Sequence, residues 1–244
     1  MACLTVSPRG PNKESLPLFL RLPACLTALA LLAACGGKSD LQDPPVPLGG
    51  FVLGHNIIVA ENVQKVPISR DASPEEWEAS MKKAVADRFG RYQGDRIYNI
   101  GISVDGYALA PPGIPVVAAP KSVLAITANI WDDATATKLN PEGKSFTIFE
   151  SLSGETVIGT GLTRTKAQQM EALSFNAVKK VEDWLLEHPE WFGMTKEQQD
   201  AQMAARAAQI EGNTKARKAA DKAAAAEATG TGAAVAKPVT TTAQ

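Results

Sequence analysis

The sequence predicts an α+β fold in which one mainly antiparallel sheet carries two helices on one face. Two observations lead to this prediction: several segments alternate apolar and polar residues, and two amphipathic segments begin with strong helix-start signals. The predicted order is strand, helix, three or four strands and helix, all within residues 51–193. The sequence contains no repeat, so a single domain of ordinary size accounts for this region.

The strands are predicted from apolar alternation between turn signals. Phe51–Ala60 is the first, and Arg96–Val104 is a half-buried strand in which every second residue from Tyr98 onward is large and apolar. A longer strand is predicted from about Ser122 to Trp131. Phe146–Leu152 and Glu155–Gly159 flank a Ser-Gly pair, which predicts a hairpin.

The two helices are predicted from their first turns. Ser73 and Glu76 form a capping box, with proline at the first helical position, for a helix over about 74–89. A second capping box, Thr-x-x-Gln, begins a helix predicted over about 166–188, which Pro189 ends.

Residues 1–34 have the layout of a secretory signal peptide, with basic residues before an uncharged run of thirteen residues. That run is too short to span a bilayer core, which needs about 20 apolar residues. It ends in Leu32-Ala33-Ala34-Cys35, which resembles the lipobox of bacterial lipoproteins. The resemblance implies cleavage between Ala34 and Cys35 and attachment of lipid to the Cys35 sulfur. An ordinary signal peptide with a chance cysteine is the alternative.

Residues 35–50 are predicted to be the lipidated cysteine and a flexible tether rich in Gly, Pro and Asp. Several acyl chains on one cysteine anchor a protein stably. Gly36 and Gly37 follow Cys35, whereas an Asp at the first of these positions retains enteric-type lipoproteins in the inner membrane. The resemblance therefore implies a periplasm-facing protein anchored in the outer membrane.

Cysteine count and charge exclude several classes of function. Cys3 and Cys25 leave with the signal peptide and Cys35 carries lipid, so the mature chain has no disulfide, cysteine nucleophile or cysteine metal site. Removal of residues 1–34 takes away three basic residues and one acidic residue, which changes the formal charge from −1 to −3. No basic excess supports nucleic-acid binding.

Residues 194–244 are predicted to be a low-complexity tail, because seventeen of the last fifty residues are alanine and none is aromatic. A partly formed helix to about Ala228 and a disordered end are expected. A coiled-coil partner is the alternative, although the heptads lack Leu or Ile at both core positions.

Few residues suit catalysis. His55 lies in the first strand and His188 at a helix end, so no histidine metal site is predicted. Asp132-Asp133, with Glu150 and Glu155, could supply paired carboxylates for acid–base work or a cation, although adjacent acids at a strand end usually cap a turn. No serine lies in a GxSxG context. The sequence predicts neither an enzyme, nor a metal, nor a cofactor.

A glycine-rich segment enters the second helix and could offer backbone N–H groups to an anion. It lacks the spacing of a Walker motif and of a dinucleotide fingerprint. A tight strand-to-helix connection that needs small residues is the alternative. The candidate anion-binding residues are Gly159, Gly161, Arg164 and Lys166.

The layout of residues 32–192 resembles envelope lipoproteins of Gram-negative bacteria. This group includes accessory lipoproteins of lipid-transport ABC systems, lipopolysaccharide-assembly lipoproteins and curli-type secretion lipoproteins. The segment Gly161–Gln169, together with Asp183-Trp184-Leu185 and Pro189–Phe192, is similar to a signature of one uncharacterised family of such proteins.

The predicted function is therefore that of a non-enzymatic binding or assembly factor, anchored in a membrane by lipid. It would hold a protein partner or an envelope lipid on a sheet edge or on the face that the helices leave open. One alternative is a structural lipoprotein whose tail reaches the cell wall or another envelope component. Another is a hydrolase with a dispersed site, for which a deep polar pocket joining His55 to Asp132 or Glu150 would be evidence.

Overall fold

The computed structural model describes residues 40–112, 122–150 and 164–230. Contacts divide the chain into two units, residues 1–42 and residues 43–244. In the first unit, Asp40–Gln42 forms a single 3-10 turn. The sheet and the α-helices described below belong to the second unit.

In the described part of the chain, six strands form one mixed sheet with β3 at its centre. β3 pairs in parallel with β1 and β2, and antiparallel with β4, which also pairs antiparallel with β5 and β6. The strands are β1 (Phe51–Val59), β2 (Gln64–Lys65), β3 (Arg96–Ala108), β4 (Val123–Asp132), β5 (Thr137–Lys138) and β6 (Lys144–Phe149).

The α+β prediction is confirmed, and the structure adds the parallel pairing of β1 with β3. That direction follows from the helix between the two strands, because a helical crossover carries the chain back to the same end of the sheet. The short strands β2 and β5 lie in segments that the sequence predicts as connections. The second strand of the predicted hairpin, 155–159, lies outside the described residues.

The described residues contain three α-helices: α1 (Pro74–Phe89), α2 (Lys166–Leu185) and α3 (Lys196–Gly230). The first two begin at the predicted caps. At the start of α1, the Ser73 hydroxyl accepts from the Glu76 N–H at 3.2 Å, and the Glu76 carboxylate accepts from the Ser73 N–H at 2.8 Å. α2 begins with the equivalent pair of hydrogen bonds. Its end is three residues earlier than predicted.

The core lies between the sheet and the two helices α1 and α2. Phe51 of β1 stacks on Tyr98 of β3 with ring centroids 5.3 Å apart. A 3-10 turn after α2, Pro189–Phe192, places the Phe192 ring 5.1 Å from that of Tyr98 and so closes one end of the core. The large buried side chains from the helices are Trp77, Met81, Val85 and Phe89 of α1, and Met170, Leu173, Val178, Val181 and Leu185 of α2.

A buried ion pair joins α1 to α2. The Arg88 guanidinium lies 2.6 Å from the Glu182 carboxylate, and each side chain is only 2% exposed. The Tyr92 hydroxyl donates a second hydrogen bond to Glu182 at 2.8 Å. Burial raises the pKa of Tyr92 far above its ordinary value, so this hydroxyl stays a hydrogen-bond donor.

Residues 43–50, which the sequence assigns to the tether, pack on the domain. Leu48 is 2% exposed and belongs to the core. The Arg206 guanidinium of α3 donates to the Pro44 carbonyl at 2.7 Å. The packed region therefore begins upstream of the predicted boundary at Phe51.

Two side chains in the first third of α3, Gln199 and Arg206, hydrogen-bond to the domain. The Gln199 side chain is buried and donates to the Leu186 carbonyl at 3.0 Å. Its 35 residues make a helix about 52 Å long. Between Arg206 and Ala225, most side chains are exposed. None of the helices in residues 40–112, 122–150 and 164–230 combines the length and apolar character that crossing a membrane requires.

Candidate functional site

Among the described residues, the face of the sheet opposite α1 and α2 carries exposed side chains. On β3, the buried Tyr98 and Ile100 alternate with residues of this face, as the sequence predicts. Large apolar side chains with exposed fractions between 44% and 58% lie on it. They are Ile57, Val59, Ile97 and Phe149, and we call this surface the open face. Exposed apolar side chains gathered on one surface are typical of a binding site.

A pocket of about 290 Å³ opens on this face, where β1, β3 and β4 meet the turn after β4. Apolar and polar side chains both line it, and it brings His55 together with the Asp132-Asp133 pair. The lining residues are His55, Ile57, Asn99, Trp131, Asp132, Asp133 and Ala136. We call it the open-face pocket.

β1 is irregular at the edge of the open-face pocket. Its pairing with β3 shifts register between Leu53 and Asn56. Within this shift, the His55 N–H donates to the Asn99 side-chain oxygen at 2.6 Å. Such bulges change the direction of a side chain and are common beside functional sites.

Two glycines give the pocket residues their space. A Cβ at Gly101 would come within 2.8 Å of the Trp131 ring, so the indole lies directly against the backbone of β3. A Cβ at Gly54 would come within 2.5 Å of the Asn99 side-chain oxygen. Glycine inside a strand often marks such a close approach.

The turn after β4 forms one wall of the pocket. Asp132 ends β4 in an ion pair with Arg96 at 2.7 Å, and its other oxygen accepts from the Ala134 N–H at 3.1 Å. Asp133 accepts from the Asn99 side chain at 2.8 Å. Ala136 has a φ of 49°, in the left-handed region that favours glycine. Backbone strain of this kind clusters at functional sites.

The carboxylates of the pocket lining already have partners. Asp132 and Asp133 are the acidic residues in the lining, and no lysine or arginine lines it. Asp132 pairs with Arg96, and Asp133 accepts from Asn99. Beside the lining, the Lys138 ammonium lies 5.9 Å from the Trp131 ring centroid.

The groups of the lining that could act as nucleophiles are those of His55, Asp132 and Asp133. None of the seven lining residues carries a hydroxyl, thiol or amine nucleophile. Asp132 is occupied by Arg96 and by the turn. Within the part of the chain that the structure describes, no three His, Cys, Asp or Glu side chains converge in a metal-binding arrangement.

The other predicted carboxylate and the two predicted cations lie elsewhere. Glu150 is 1% exposed and forms an ion pair with Arg164 at 3.0 Å. Lys166 forms an ion pair with Glu76 at 2.5 Å. An anion bound at the predicted loop would have to compete with the carboxylates of Glu150 and Glu76 for these two cations. Gly159, Gly161, Glu155, Ala34 and Cys35 lie outside the described residues.

His188 belongs to an aromatic cluster at the end of α2. Its ring stacks on Trp191 with centroids 3.9 Å apart, and its Nδ1 lies 3.1 Å from the Glu190 carboxylate. Trp184 meets Trp191 edge-on at 5.5 Å. These contacts give His188 a packing role.

Sequence reasoning missed Trp131 and Asn99 as pocket residues. Both lie on predicted strands, and the alternation that begins at Tyr98 predicts that Asn99 faces away from the core. The available signal was the pair of glycines inside predicted strands, Gly54 and Gly101, which marks close backbone approach. The side chain that lies against each glycine depends on strand pairing, which the sequence does not predict.

Comparisons with known proteins give distant structural similarity. No family model and no curated protein matches the sequence. The chain is similar to a protein from Caulobacter crescentus CB15 described as a putative lipoprotein, with 10% identity, a TM-score of 0.32, and coverage of 55% of this chain and 91% of that chain. It is also similar to XCC0632 of Xanthomonas campestris, of family DUF330, with 14% identity, a TM-score of 0.33, and coverage of 63% and 95%.

A third similar structure is the PelC dodecamer from Paraburkholderia phytofirmans. Its identity is 12%, its TM-score is 0.29, and the alignment covers 57% of this chain and 92% of that chain. One of these structural neighbours, the Caulobacter protein, is thus described as a putative lipoprotein. With TM-scores this low, they assign no function to this chain.

Proposed function

We propose that this protein is a non-enzymatic lipoprotein of the bacterial envelope, anchored in the outer membrane through Cys35 and facing the periplasm. Its domain binds an envelope component or a protein partner on the open face. The lipobox Leu32-Ala33-Ala34-Cys35 supports the anchor. The open face supports the binding role and is the observation on which the proposal rests.

Two features of the open face favour binding. Exposed apolar side chains such as Ile57 and Ile97 lose contact with water only when a partner covers them. Beside them, a register shift, two close-approach glycines and a strained alanine concentrate around one pocket. A sheet face that only contacts solvent needs none of these features, because regular pairing of its strands is enough.

Capture from detergent-solubilised envelopes tests the binding role. The tagged full-length chain is compared with Ile97→Glu, which places a charge on the open face, and with Ile68→Glu, whose side chain is 64% exposed in the loop after β2. We expect one or more components to be captured by the wild type and Ile68→Glu, and lost with Ile97→Glu. Equal recovery in all three, or no enrichment at all, would overturn the proposal.

A structural role for α3 is the second candidate, in which the tail links the membrane to the cell wall. The observation in its favour is the length of exposed helix beyond Arg206. Because Gln199 and Arg206 hold α3 to the domain, a chain ending at Arg206 keeps these contacts. Loss of envelope association in this truncated chain, with Ile97→Glu unaffected, would favour the tail.

Metabolic labelling tests the lipid anchor. We expect labelled palmitate to enter the wild type and to be absent from Cys35→Ser. Density-gradient separation of the two membranes should place the labelled protein in the outer-membrane fraction. Equal labelling of both chains would defeat the anchor.

A further inference from the structure

We infer that the open-face pocket binds one pyranose ring of an uncharged glycan. This inference rests on the proposed function, because it names the ligand class of a site on the same face. It follows from the size of the pocket, its charge, the mixture of side chains in its lining and their fixed positions.

The size of the pocket limits the ligand to a small one. Ligand pockets usually span about 300–1,000 Å³. At about 290 Å³, the open-face pocket lies at the lower end of that range and suits a single ring. Its position on a sheet surface leaves room for the rest of a chain to continue along the open face.

The contacts of the charged groups favour a neutral ligand. Asp132 is already paired with Arg96. A phosphate would meet the Asp133 carboxylate, and no lysine or arginine lines the pocket to attract it. An ammonium group would have to share Asp133 with Asn99, and the Lys138 ammonium already lies 5.9 Å from the Trp131 ring that would otherwise attract a cation.

The lining matches the two surfaces of a sugar ring. A pyranose has apolar C–H groups on its faces, and Ile57, Ala136 and the large Trp131 ring offer apolar contact. Its hydroxyls both donate and accept, so they need partners of both kinds. Asp133 has acceptor positions beyond the one used by Asn99, and the His55 imidazole offers both functions.

The polar and aromatic groups are held in place before any ligand arrives. Asn99 accepts from the His55 N–H and donates to Asp133, which fixes its amide. Trp131 rests on Gly101. A pocket whose side chains are already ordered loses less conformational entropy on binding.

Titration of the detergent-purified full-length chain with uncharged oligosaccharides tests this inference. The probes are a tetramer of N-acetylglucosamine and a tetramer of glucose, followed by calorimetry. We expect saturable binding to at least one probe. Removal of one hydrogen-bonding side chain, in His55→Ala or Asp133→Asn, should weaken binding about tenfold.

The matched controls are His188→Ala and Asp183→Asn, which remove the same chemical groups at α2 and just after it. They should bind like the wild type. His55 is exposed, so its removal should leave the fold intact, which circular dichroism checks. Absence of saturable binding, equal weakening in the controls, or tighter binding of inorganic phosphate or a tetralysine peptide would overturn the inference.

Two further comparisons complete the test. The first distinguishes a polymeric from a soluble source of the sugar, and the second distinguishes a failure of this inference from a failure of the proposed function. Co-sedimentation with purified peptidoglycan or with lipopolysaccharide vesicles, lost in Asp133→Asn, would support a polymer source. Binding of free oligosaccharides alone would support a soluble source. Envelope capture that depends on Ile97, without sugar binding, would defeat only this inference. Sugar binding, together with envelope capture that is unchanged in Ile97→Glu, would defeat only the proposed function.

Discussion

The two faces of β3 differ in the burial of their side chains and in the contacts that these side chains make. On the covered face, Tyr98, Ile100 and Ile102 are at most 2% exposed, and they pack under α1 and α2. On the open face, Ile97 is 47% exposed, Asn99 bonds to side chains and main chain around a pocket, and Gly101 makes room for an indole. One strand thus provides stability on one side and a candidate binding surface on the other.

Two ion pairs of the protein differ in exposure. Arg88 and Glu182 are each 2% exposed. Arg96, whose guanidinium lies 5.5 Å from the Tyr98 ring centroid, is 43% exposed, while its partner Asp132 is 7% exposed. Because water screens an exposed charge, loss of one partner should cost more stability in the Arg88–Glu182 pair than in the Arg96–Asp132 pair. The comparison gives testable differences in stability.

The largest effect is expected from breaking the buried pair. Arg88→Met leaves the Glu182 carboxylate buried with the Tyr92 hydroxyl as a remaining donor, and should lower the free energy of unfolding by about 3–5 kcal/mol. Replacing both partners, Arg88→Met with Glu182→Leu, should recover much of that loss. Urea unfolding followed by circular dichroism measures both. A double variant less stable than the single one would contradict this account.

Matched truncations on β3 test the difference between the faces directly. Ile100→Ala empties a buried site and should cost about 2–5 kcal/mol. Ile97→Ala, three residues away on the open face, should change stability by about 0.5 kcal/mol or less. The same urea experiment compares them. Similar losses in the two variants would mean that the open face also packs against the rest of the chain.

A methyl group at Gly101 tests how the pocket is built. The added Cβ of Gly101→Ala would meet the Trp131 ring, so we expect a loss of about 1–3 kcal/mol and an altered tryptophan fluorescence spectrum. Gly212→Ala is the control, because a Cβ there meets nothing within 4 Å in α3. It should instead stabilise the helix by about 1 kcal/mol. An unchanged spectrum in Gly101→Ala would argue against the close contact.

The smallest effect concerns the exposed pair that links the starts of α1 and α2. A hydrogen bond from the Lys166 ammonium holds the pKa of the Glu76 carboxyl below its ordinary value. The resulting stability is fully present above the ordinary pKa of 4.5, and is lost as pH falls through the lowered value. Lys166→Met should cost about 0.2–1 kcal/mol at pH 7.

Unfolding midpoints of the wild type and Lys166→Met should therefore converge as the pH falls below 4.5. The control is the same substitution at Lys179, which forms an exposed i,i+4 pair with Asp183 within α2. It also removes one surface charge, but the pair that it breaks lies within one helix. If the difference in unfolding midpoint between the wild type and Lys166→Met grew as the pH fell, a group other than Glu76 would be responsible for it.

Local sequence determined the elements and the class of fold. The caps at Ser73 and Thr165 work within four residues of chain, because the bonds they make are to their own helix. The alternation in β3 likewise follows from the geometry of a single strand. Both features depend on neighbours in sequence, so the sequence alone predicts them.

Tertiary structure decided everything that depends on distant partners. Arg88 and Glu182 are 94 residues apart, and no local pattern pairs them. The open-face pocket required the register of β1 on β3 and of β3 on β4, which placed Trp131 against Gly101 and His55 beside Asp133. Because strand pairing is set by the packing of the whole core, the sequence supplied the residues of the site and only the fold brought them together.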